Sequence, residues 1–194
     1  MLNDPHHQFK KMEQYELNNA LRCACKNNNL DMVRYLLTSS DLVLNANIHT
    51  ADDWVLIIAC SQGHLDIVKY LLTSSELIEH INIHTEKEAA LTLACRHSHV
   101  EIVKYLLTSP ELKEHANIHT NNDSIFIYVC ANENVKLMQY LIFDYNIEKT
   151  ANIQKYLDKN FRKDIIDMFD KRKLEEKLNE ELSKNQKTIK QLKI

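Results

Sequence analysis

The strongest constraint on the fold is a repeat with a period of 35 residues. A seven-residue segment that ends in Tyr-Leu-Leu-Thr-Ser occurs at residues 33–39, 68–74 and 103–109. A second segment, Asn-Ile-His-Thr, occurs at residues 47–50, 82–85 and 117–120. A degenerate fourth copy follows, in which residues 140–142 fall on the columns of the first segment. Two segments with one common spacing indicate a chain built from copies of a single supersecondary unit.

Each copy predicts two short helices. In the second helix of the best copy, Leu65, Val68 and Leu71 recur at three-residue steps and form one apolar stripe. The first helix, Val55 to Cys60, is almost wholly apolar, as expected for a helix packed between neighbours. Gly63 lies between the two helices, where a left-handed residue ends the first one. The equivalent positions in the other copies are Asn28, Ser98 and Glu133.

Composition excludes several classes of protein. One glycine and two prolines are too few for a protein rich in tight turns or strands. The sequence contains no run of 18 apolar residues, so we expect no membrane insertion. The first residues do not resemble a secretory signal. Five cysteines, an odd number, argue against a disulfide framework. We therefore expect a cytoplasmic, reducing setting, either in the producing cell or in a host cell to which the chain is delivered.

Two segments carry a family resemblance. Gly63 to Leu72 is close to Gly-His-Leu-Glu-Val-Val-Lys-Leu-Leu-Leu, and Trp54 to Cys60 occupies the place of Thr-Pro-Leu-His-x-Ala-Ala. On these residues the chain resembles ankyrin-repeat proteins over residues 17–153, whereas tetratricopeptide and pentatricopeptide repeats lack this arrangement. The resemblance implies an all-α solenoid of stacked helix-turn-helix units, with short or vestigial β-hairpin fingers and a C-terminal helix. It also implies a protein that is not an enzyme, that has no cofactor or small-molecule substrate, and that binds another protein.

The repeat departs from the family in length, 35 residues against about 33. The finger is predicted to be about three residues shorter, and about five extra residues follow the second helix. Ser109-Pro110 indicates a turn there, with serine as a cap. Leu42, Leu77 and Leu112 recur in this turn and are expected to pack inward. Asp53, Glu88 and Asp123 precede the first helices and are expected to cap them.

The ends differ from the repeats. Residues 1–16 are interpreted as an N-terminal helical cap, residues 17–153 as four repeats, residues 154–170 as a C-terminal cap and residues 171–194 as a charged helical tail. Phe161, Ile165, Met168 and Phe169 recur at helical steps in the C-terminal cap. In the tail, Leu174, Leu178 and Leu182 are spaced by four. Four lysines and no acid follow: Lys184, Lys187, Lys190 and Lys193.

Histidines and cysteines raise the question of a metal site. Cys25, Cys60, Cys95 and Cys130 form one column, and His49, His84 and His119 form another. Adjacent repeats separate equivalent helices by about 8–10 Å, whereas zinc ligands lie about 2.0–2.3 Å from the ion. Neither column can converge on one metal ion, so we interpret the cysteines as core residues. The histidines are expected to hydrogen-bond neighbouring backbone across the repeat junction. No catalytic constellation stands out, because the serines, histidines and aspartates recur with the repeat.

Binding residues are expected where exposed positions vary while the core columns hold. The family's concave surface, made by the first helices and the finger tips, is the natural binding surface. Two other functions stay open: self-association through the C-terminal helix, and weak polyanion contact by the lysine-rich end, with nucleic acid an unlikely partner. The predicted partner-binding residues are Arg22, Lys26, Trp54, Ile57, Gln62, Lys87, Thr92, Arg96, Asn121 and Asn122.

Overall fold

The computed structural model describes residue 9, residues 12–160 and residues 162–191, with side chains as far as residue 187. All regular structure among these residues is helical, which confirms the all-α prediction, and none of them forms a β-strand. A π-helical segment, Tyr140–Asp144, follows α8. The helices are α1 (Gln14–Lys26), α2 (Leu30–Thr38), α3 (Thr50–Gln62), α4 (Leu65–Thr73), α5 (Thr85–Arg96), α6 (Val100–Thr108), α7 (Thr120–Ala131), α8 (Val135–Gln139), α9 (Ala151–Lys159) and α10 (Lys163–Gln191).

Contacts divide the chain into two units, residues 1–125 and residues 126–194. In the first unit, α3 packs between α1 and α5, and each of these helices packs on the helix that follows it. The second helices α2, α4 and α6 also contact one another in order, so the unit has two layers of helices.

The core of the first unit lies between these two layers. It is built from columns whose members are 35 residues apart and fully buried: Leu21, Leu56 and Leu91; Val33, Val68 and Val103; Leu36, Leu71 and Leu106. Burying one such side chain contributes about 1.5–3 kcal/mol. Because every copy supplies the same columns, each helix pair completes the core of its neighbour.

The corner between the two helices of each repeat is left-handed. Gly63 has φ +82°, and the residues at its equivalent positions also have positive φ, which confirms the predicted helix ends. The amide of His64 then donates to the carbonyl of Ala59 at 3.0 Å, and that of His99 donates to Ala94 at 2.9 Å. These bonds satisfy carbonyls that the end of a helix leaves unpaired.

Histidines at the start of the second helices tie successive repeats together. His64 Nε2 lies 3.0 Å from the carbonyl oxygen of Lys26, and His99 Nε2 lies 2.9 Å from that of Ser61. Each imidazole therefore donates to the end of the preceding repeat's first helix. The His99 ring also covers Gly63, where a Cβ atom would come within 2.6 Å of the ring. Gly63 is required there for space as well as for its φ.

The segment after each second helix is a serine-capped turn. The amides of Leu42, Leu77 and Leu112 donate to the serine carbonyl three residues earlier, at 3.4, 3.2 and 3.2 Å. The serine hydroxyls accept from the amides of Asp41, Glu76 and Glu111, as the capping prediction requires. Leu42 and Leu112 pack inward, but Leu77 is only half-buried. Pro110 lies in the turn and not in a helix.

The last described helix of the second unit, α10, is long and has its buried residues near its start. Ile165 and Phe169 of α10 are buried, and the Phe169 ring meets Phe126 edge-on at 5.9 Å. Arg172 Nη1 donates to the carbonyls of Ile142 and Ile147, at 3.1 and 2.8 Å. The boundary we placed between residues 170 and 171 falls inside this helix.

Parts of both predicted caps lie outside the described residues, namely residues 1–8, 10 and 11 and Phe161. Phe9 is buried, and its ring meets Tyr35 edge-on at 6.3 Å. The remaining assignment of residues 1–16 as a cap stays a prediction.

Gly63→Ala is expected to destabilise the protein. The left-handed backbone alone disfavours alanine by about 1–2 kcal/mol, and the new Cβ also displaces the His99 ring. Chemical denaturation measures the loss. The matched control is Ser98→Gly, at the equivalent corner with φ +63°, which relieves strain and raises stability by up to about 1 kcal/mol. Equal losses in both variants would contradict the role of the left-handed corner.

Candidate functional site

The exposed face of the first helices and the loop tips together carry most of the predicted binding residues. Trp54 is 45% exposed. Lys26, Gln62 and Arg96 are exposed, and Lys87, Asn121 and Asn122 are exposed on the loop tips. Whether they bind a partner stays a prediction.

One predicted position is wrong. Ile57 is 1% exposed and lies in the core, so it cannot present its side chain to a partner. The next residue, Ile58, is half-buried and follows Trp54 by four residues on the same face of α3. Leu93 is its equivalent on α5 and is also half-buried. The sequence did not separate residue 57 from residue 58, because the first helix is apolar on nearly every side.

Arg22 and Thr92, in the same column as Ile57, are half-buried. Their polar groups bond within their own helices, since Arg22 Nη2 donates to Asn19 Oδ1 and Thr92 Oγ1 donates to the carbonyl of Glu88. They border the exposed face and are less exposed than Lys26 and Arg96.

On α1, the exposed face begins with an aromatic residue that sequence reasoning missed. Tyr15 is 73% exposed and precedes the exposed Cys23 by eight residues, so both lie on one side of the helix. The four-residue spacing from Tyr15 to Asn19 to Cys23 was the available signal.

The loop tips are short left-handed turns instead of β-hairpin fingers. Three consecutive residues with φ between +49° and +67° precede the regular part of α3, α5 and α7: residues 51–53, 86–88 and 121–123. None is glycine, and each such residue costs about 1–2 kcal/mol in this conformation. Lys87, Asn121 and Asn122 lie in these turns, so the backbone geometry of the turn sets the positions of their Cβ atoms.

A repeated Asn-x-His-x-x-x-acid pattern stabilises each turn. The asparagine Oδ1 accepts the histidine amide at 2.9 Å in all three copies. The histidine Nδ1 then lies 2.6 Å from Asp53, 2.5 Å from Glu88 and 2.5 Å from Asp123. These carboxylates are at most 7% exposed. The histidine rings therefore bond side-chain carboxylates and not the neighbouring backbone, which corrects the prediction for the histidines. The prediction for the acids is corrected as well, because they bond the histidines instead of capping the helices.

A second carboxylate faces the other nitrogen of two of these rings. His49 Nε2 lies 3.4 Å from Glu79 Oε2, and His84 Nε2 lies 3.4 Å from Glu114 Oε2. The hydrogen bond to Glu88 raises the pKa of His84, and the charges of Glu88 and Glu114 add to this while burial opposes it. His80, Glu111 and Lys113 line the same groove beside the ring.

One hydrogen bond links two tips directly, and its equivalent is missing. Thr85 Oγ1 lies 2.7 Å from Asp53 Oδ2 and 2.8 Å from the carbonyl oxygen of Asn82, so its one proton can serve either acceptor. Glu88 occupies the place of Asp53 in the next repeat, and its buried Oε2 has no hydrogen-bond partner among the described residues. The extra methylene of Glu88 accounts for the difference, since it carries the carboxylate beyond the position that Asp53 reaches.

The remaining chemistry follows the repeat. The four column cysteines are buried, and burial raises the pKa of Cys25, Cys95 and Cys130 to about 12 and raises that of Cys60 as well. Such thiols are poor nucleophiles and poor metal ligands. Two grooves of about 410 and 390 Å³ lie between successive loops, and their linings are 35 residues apart. They are features of the repeat and not one distinctive pocket.

The described part of the chain lacks two features that other functions would require. No three histidine, cysteine or acidic side chains there come together as a metal-binding group. No helix there has both the length and the hydropathy that crossing a membrane requires.

A family model described as ankyrin repeats (3 copies) matches residues 2–82 and 56–153. The two matches together span residues 2–153, well over half of the 194 residues. Searches of curated proteins and of solved structures found no match.

Glu88→Asp is expected to stabilise the protein by about 1 kcal/mol. It shortens the side chain to that of Asp53 and brings the second oxygen toward Thr120, which is 32 residues further on, as Thr85 is from Asp53. The matched control is Asp53→Glu, which reproduces the unpaired oxygen and lowers stability by a similar amount. Urea denaturation measures both. A change of the same sign in the two variants would show that the length of the acid is not what matters.

The raised pKa of His84 predicts a defined pH dependence. Its contribution to stability is complete below the ordinary histidine pKa, about 6.5, and is lost as pH rises through the raised pKa. Ring NMR titration should place the His84 pKa above that ordinary value. In Glu88→Gln the pKa of His84 falls further than in Glu114→Gln, because the hydrogen bond to Glu88 is the largest cause. An unchanged pKa in Glu88→Gln would refute this assignment.

Proposed function

The chain belongs to the ankyrin-repeat family, and we propose that it acts as a non-enzymatic module that binds a partner protein on the exposed face of its first helices. Ankyrin repeats are generally protein–protein interaction modules, and the family is typically non-enzymatic. The proposed binding face is defined by Tyr15, Lys26, Trp54, Ile58, Leu93 and Arg96, with Lys87 on the adjoining tip.

The observation that carries the proposal is the chemistry of this face. Trp54 and Tyr15 are large exposed aromatic side chains, and Ile58 and Leu93 add half-buried apolar surface. Tryptophan, tyrosine and arginine are the residues most enriched among interface hot spots. Apolar residues supported by α1, α3 and α5, which pack side by side, suit a binding surface that changes little when it is occupied.

Charge indicates what the partner presents. Lys26 and Arg96 occupy equivalent positions near the ends of α1 and α5, with Ser61 between them on α3. We infer that the partner places an apolar side chain against Trp54 and acidic groups toward Lys26 and Arg96. The acidic tip residues Asp52 and Glu86 lie at the other end of the first helices from Lys26 and Arg96. Their negative charges disfavour a uniformly acidic partner.

The second helices are a weaker candidate surface. Two of their tyrosine rings already make cation–π contacts with the preceding repeat. Arg34 lies 5.3 Å from the centre of the Tyr70 ring, and Lys69 lies 5.5 Å from the centre of the Tyr105 ring. Such contacts contribute about 0.5–1 kcal/mol at exposed sites. A partner bound there would have to break them.

The test is affinity capture from native lysate with a matched pair of variants. Trp54→Ala with Arg96→Ala removes one exposed aromatic and one cation from the proposed binding face. Ile78→Ala with Lys113→Ala removes one exposed apolar residue and one cation from the turns that follow the second helices.

We expect a protein that is captured by the wild type and by the turn variant but lost from the binding-face variant. Truncation of a hot-spot tryptophan costs about 2 kcal/mol, about a thirtyfold loss of affinity. Thermal unfolding of both variants checks that folding is intact. Equal capture by the two variants would place the partner elsewhere.

A further inference from the structure

The turn after each second helix forms one side of a groove. The first groove, of about 390 Å³, lies between residues 45–48 and the turn residues 76–79 of the next repeat. The second groove, of about 410 Å³, lies between residues 80–84 and the turn residues 111–114, which is 35 residues further on. Both grooves belong to the first unit.

The first groove has an apolar wall and an exposed apolar residue beside it. Leu37, Ala46 and Ile48 line the groove from one repeat, and Leu77 lines it from the next. Ile78, which also lines the groove, is fully exposed. Because covering Ile78 would remove apolar surface from water, a ligand with an apolar group next to the groove gains affinity there.

Two glutamates give the first groove its charge. The side chains of Glu76 and Glu79 are 49% and 70% exposed, and the described residues that line the groove include no lysine, arginine or histidine. Glu76 lies 3.9 Å from Arg34 Nε, and Glu79 lies 3.4 Å from His49 Nε2. Both distances are longer than the 2.7–2.9 Å or so of a charge-assisted hydrogen bond. A carboxylate has about four acceptor positions, so each glutamate can accept from a further cation.

We propose that the first groove binds an arginine or lysine side chain of a basic peptide segment, with an apolar neighbour of that residue against Ile78. The aliphatic stem of such a side chain packs along the apolar wall, and its charged end reaches the two glutamates. A bare metal ion does not meet these features, because no three histidine, cysteine or acidic side chains in the described residues come together as a metal-binding group.

The second groove shows what makes the first one selective. Glu111 and Glu114 repeat its two glutamates, but Lys113 takes the place of Ile78 and two histidines, His80 and His84, also line the groove. Lys113 adds a positive charge and removes the exposed apolar residue. The basic segment therefore binds the first groove more tightly than the second.

The proposal is independent of the proposed function. The first groove lies on the turns that follow the second helices, whereas the proposed binding face lies on the first helices. The variant with Trp54→Ala and Arg96→Ala leaves every residue of the groove unchanged, so we expect it to retain the basic segment.

The test uses the full chain and a fluorescent peptide, Gly-Ser-Leu-Arg-Leu-Ser-Gly, with fluorescence anisotropy as the measurement. The control peptide carries citrulline in place of arginine, which keeps the shape of the side chain and removes its charge. We expect saturable binding of the arginine peptide, and binding of the citrulline peptide about fivefold weaker or more. Equal binding of the two peptides, or no binding up to about 1 mM, overturns the proposal.

A matched pair of variants tests the place of binding. Glu76→Gln with Glu79→Gln removes the charge of the groove and is expected to weaken the arginine peptide about fivefold. Asp31→Asn with Asp66→Asn removes the same charge from the exposed first turns of α2 and α4 and is expected to retain binding. Thermal unfolding checks that both variants fold. Equal losses in the two would mean that the peptide follows the overall charge of the protein, which overturns the assignment to the groove.

Discussion

A single helix pair in this protein cannot bury its own apolar face, and the rest of the structure depends on this constraint. In the first unit, the buried leucines and valines lie between the two layers of helices, at positions repeated every 35 residues. Because the columns are the same in every copy, adding a repeat extends the core without creating a new interface. The corners and the tips have to fit this fixed spacing.

The tips show how the chain joins its repeats without a β-hairpin. Three consecutive left-handed residues without glycine are unfavourable, so other contacts have to hold them. Those contacts are the asparagine that accepts the histidine amide and the buried carboxylate that faces the histidine ring. The Thr85–Asp53 hydrogen bond then couples one tip to the next. A network of side-chain hydrogen bonds thus offsets the backbone strain. The same network holds the backbone of the exposed tip residues in place.

The sequence predicted the helices and their corners, because apolar spacing and the Gly63 column are direct signals of both. It did not predict the left-handed tips, since residues such as Ala51 and Lys87 have no intrinsic preference for that conformation. It also assigned the wrong contacts to the histidine column that begins at His49. The expected backbone contact across the repeat belongs to His64 and His99, whereas His49 and its equivalents bond carboxylates. The sequence spacing shows that a histidine recurs, but the geometry of the loop determines its hydrogen-bond partner.

Periodicity also separates structure from binding. A residue that recurs every 35 positions is explained by the core or by the repeat junction, so a specific partner has to be recognised by residues that break the period. Trp54 meets this condition, because its equivalents are Asn19, Ala89 and Ser124. Arg96 meets it only in part, because Lys26 is also basic but Ser61 and Ala131 are not. Leu174, Leu178 and Leu182 lie beyond the last repeat altogether, and the repeat core therefore has no use for them. Residues that recur every 35 positions are thus assigned to stability. The residues that break the period are the ones by which one such protein differs from another.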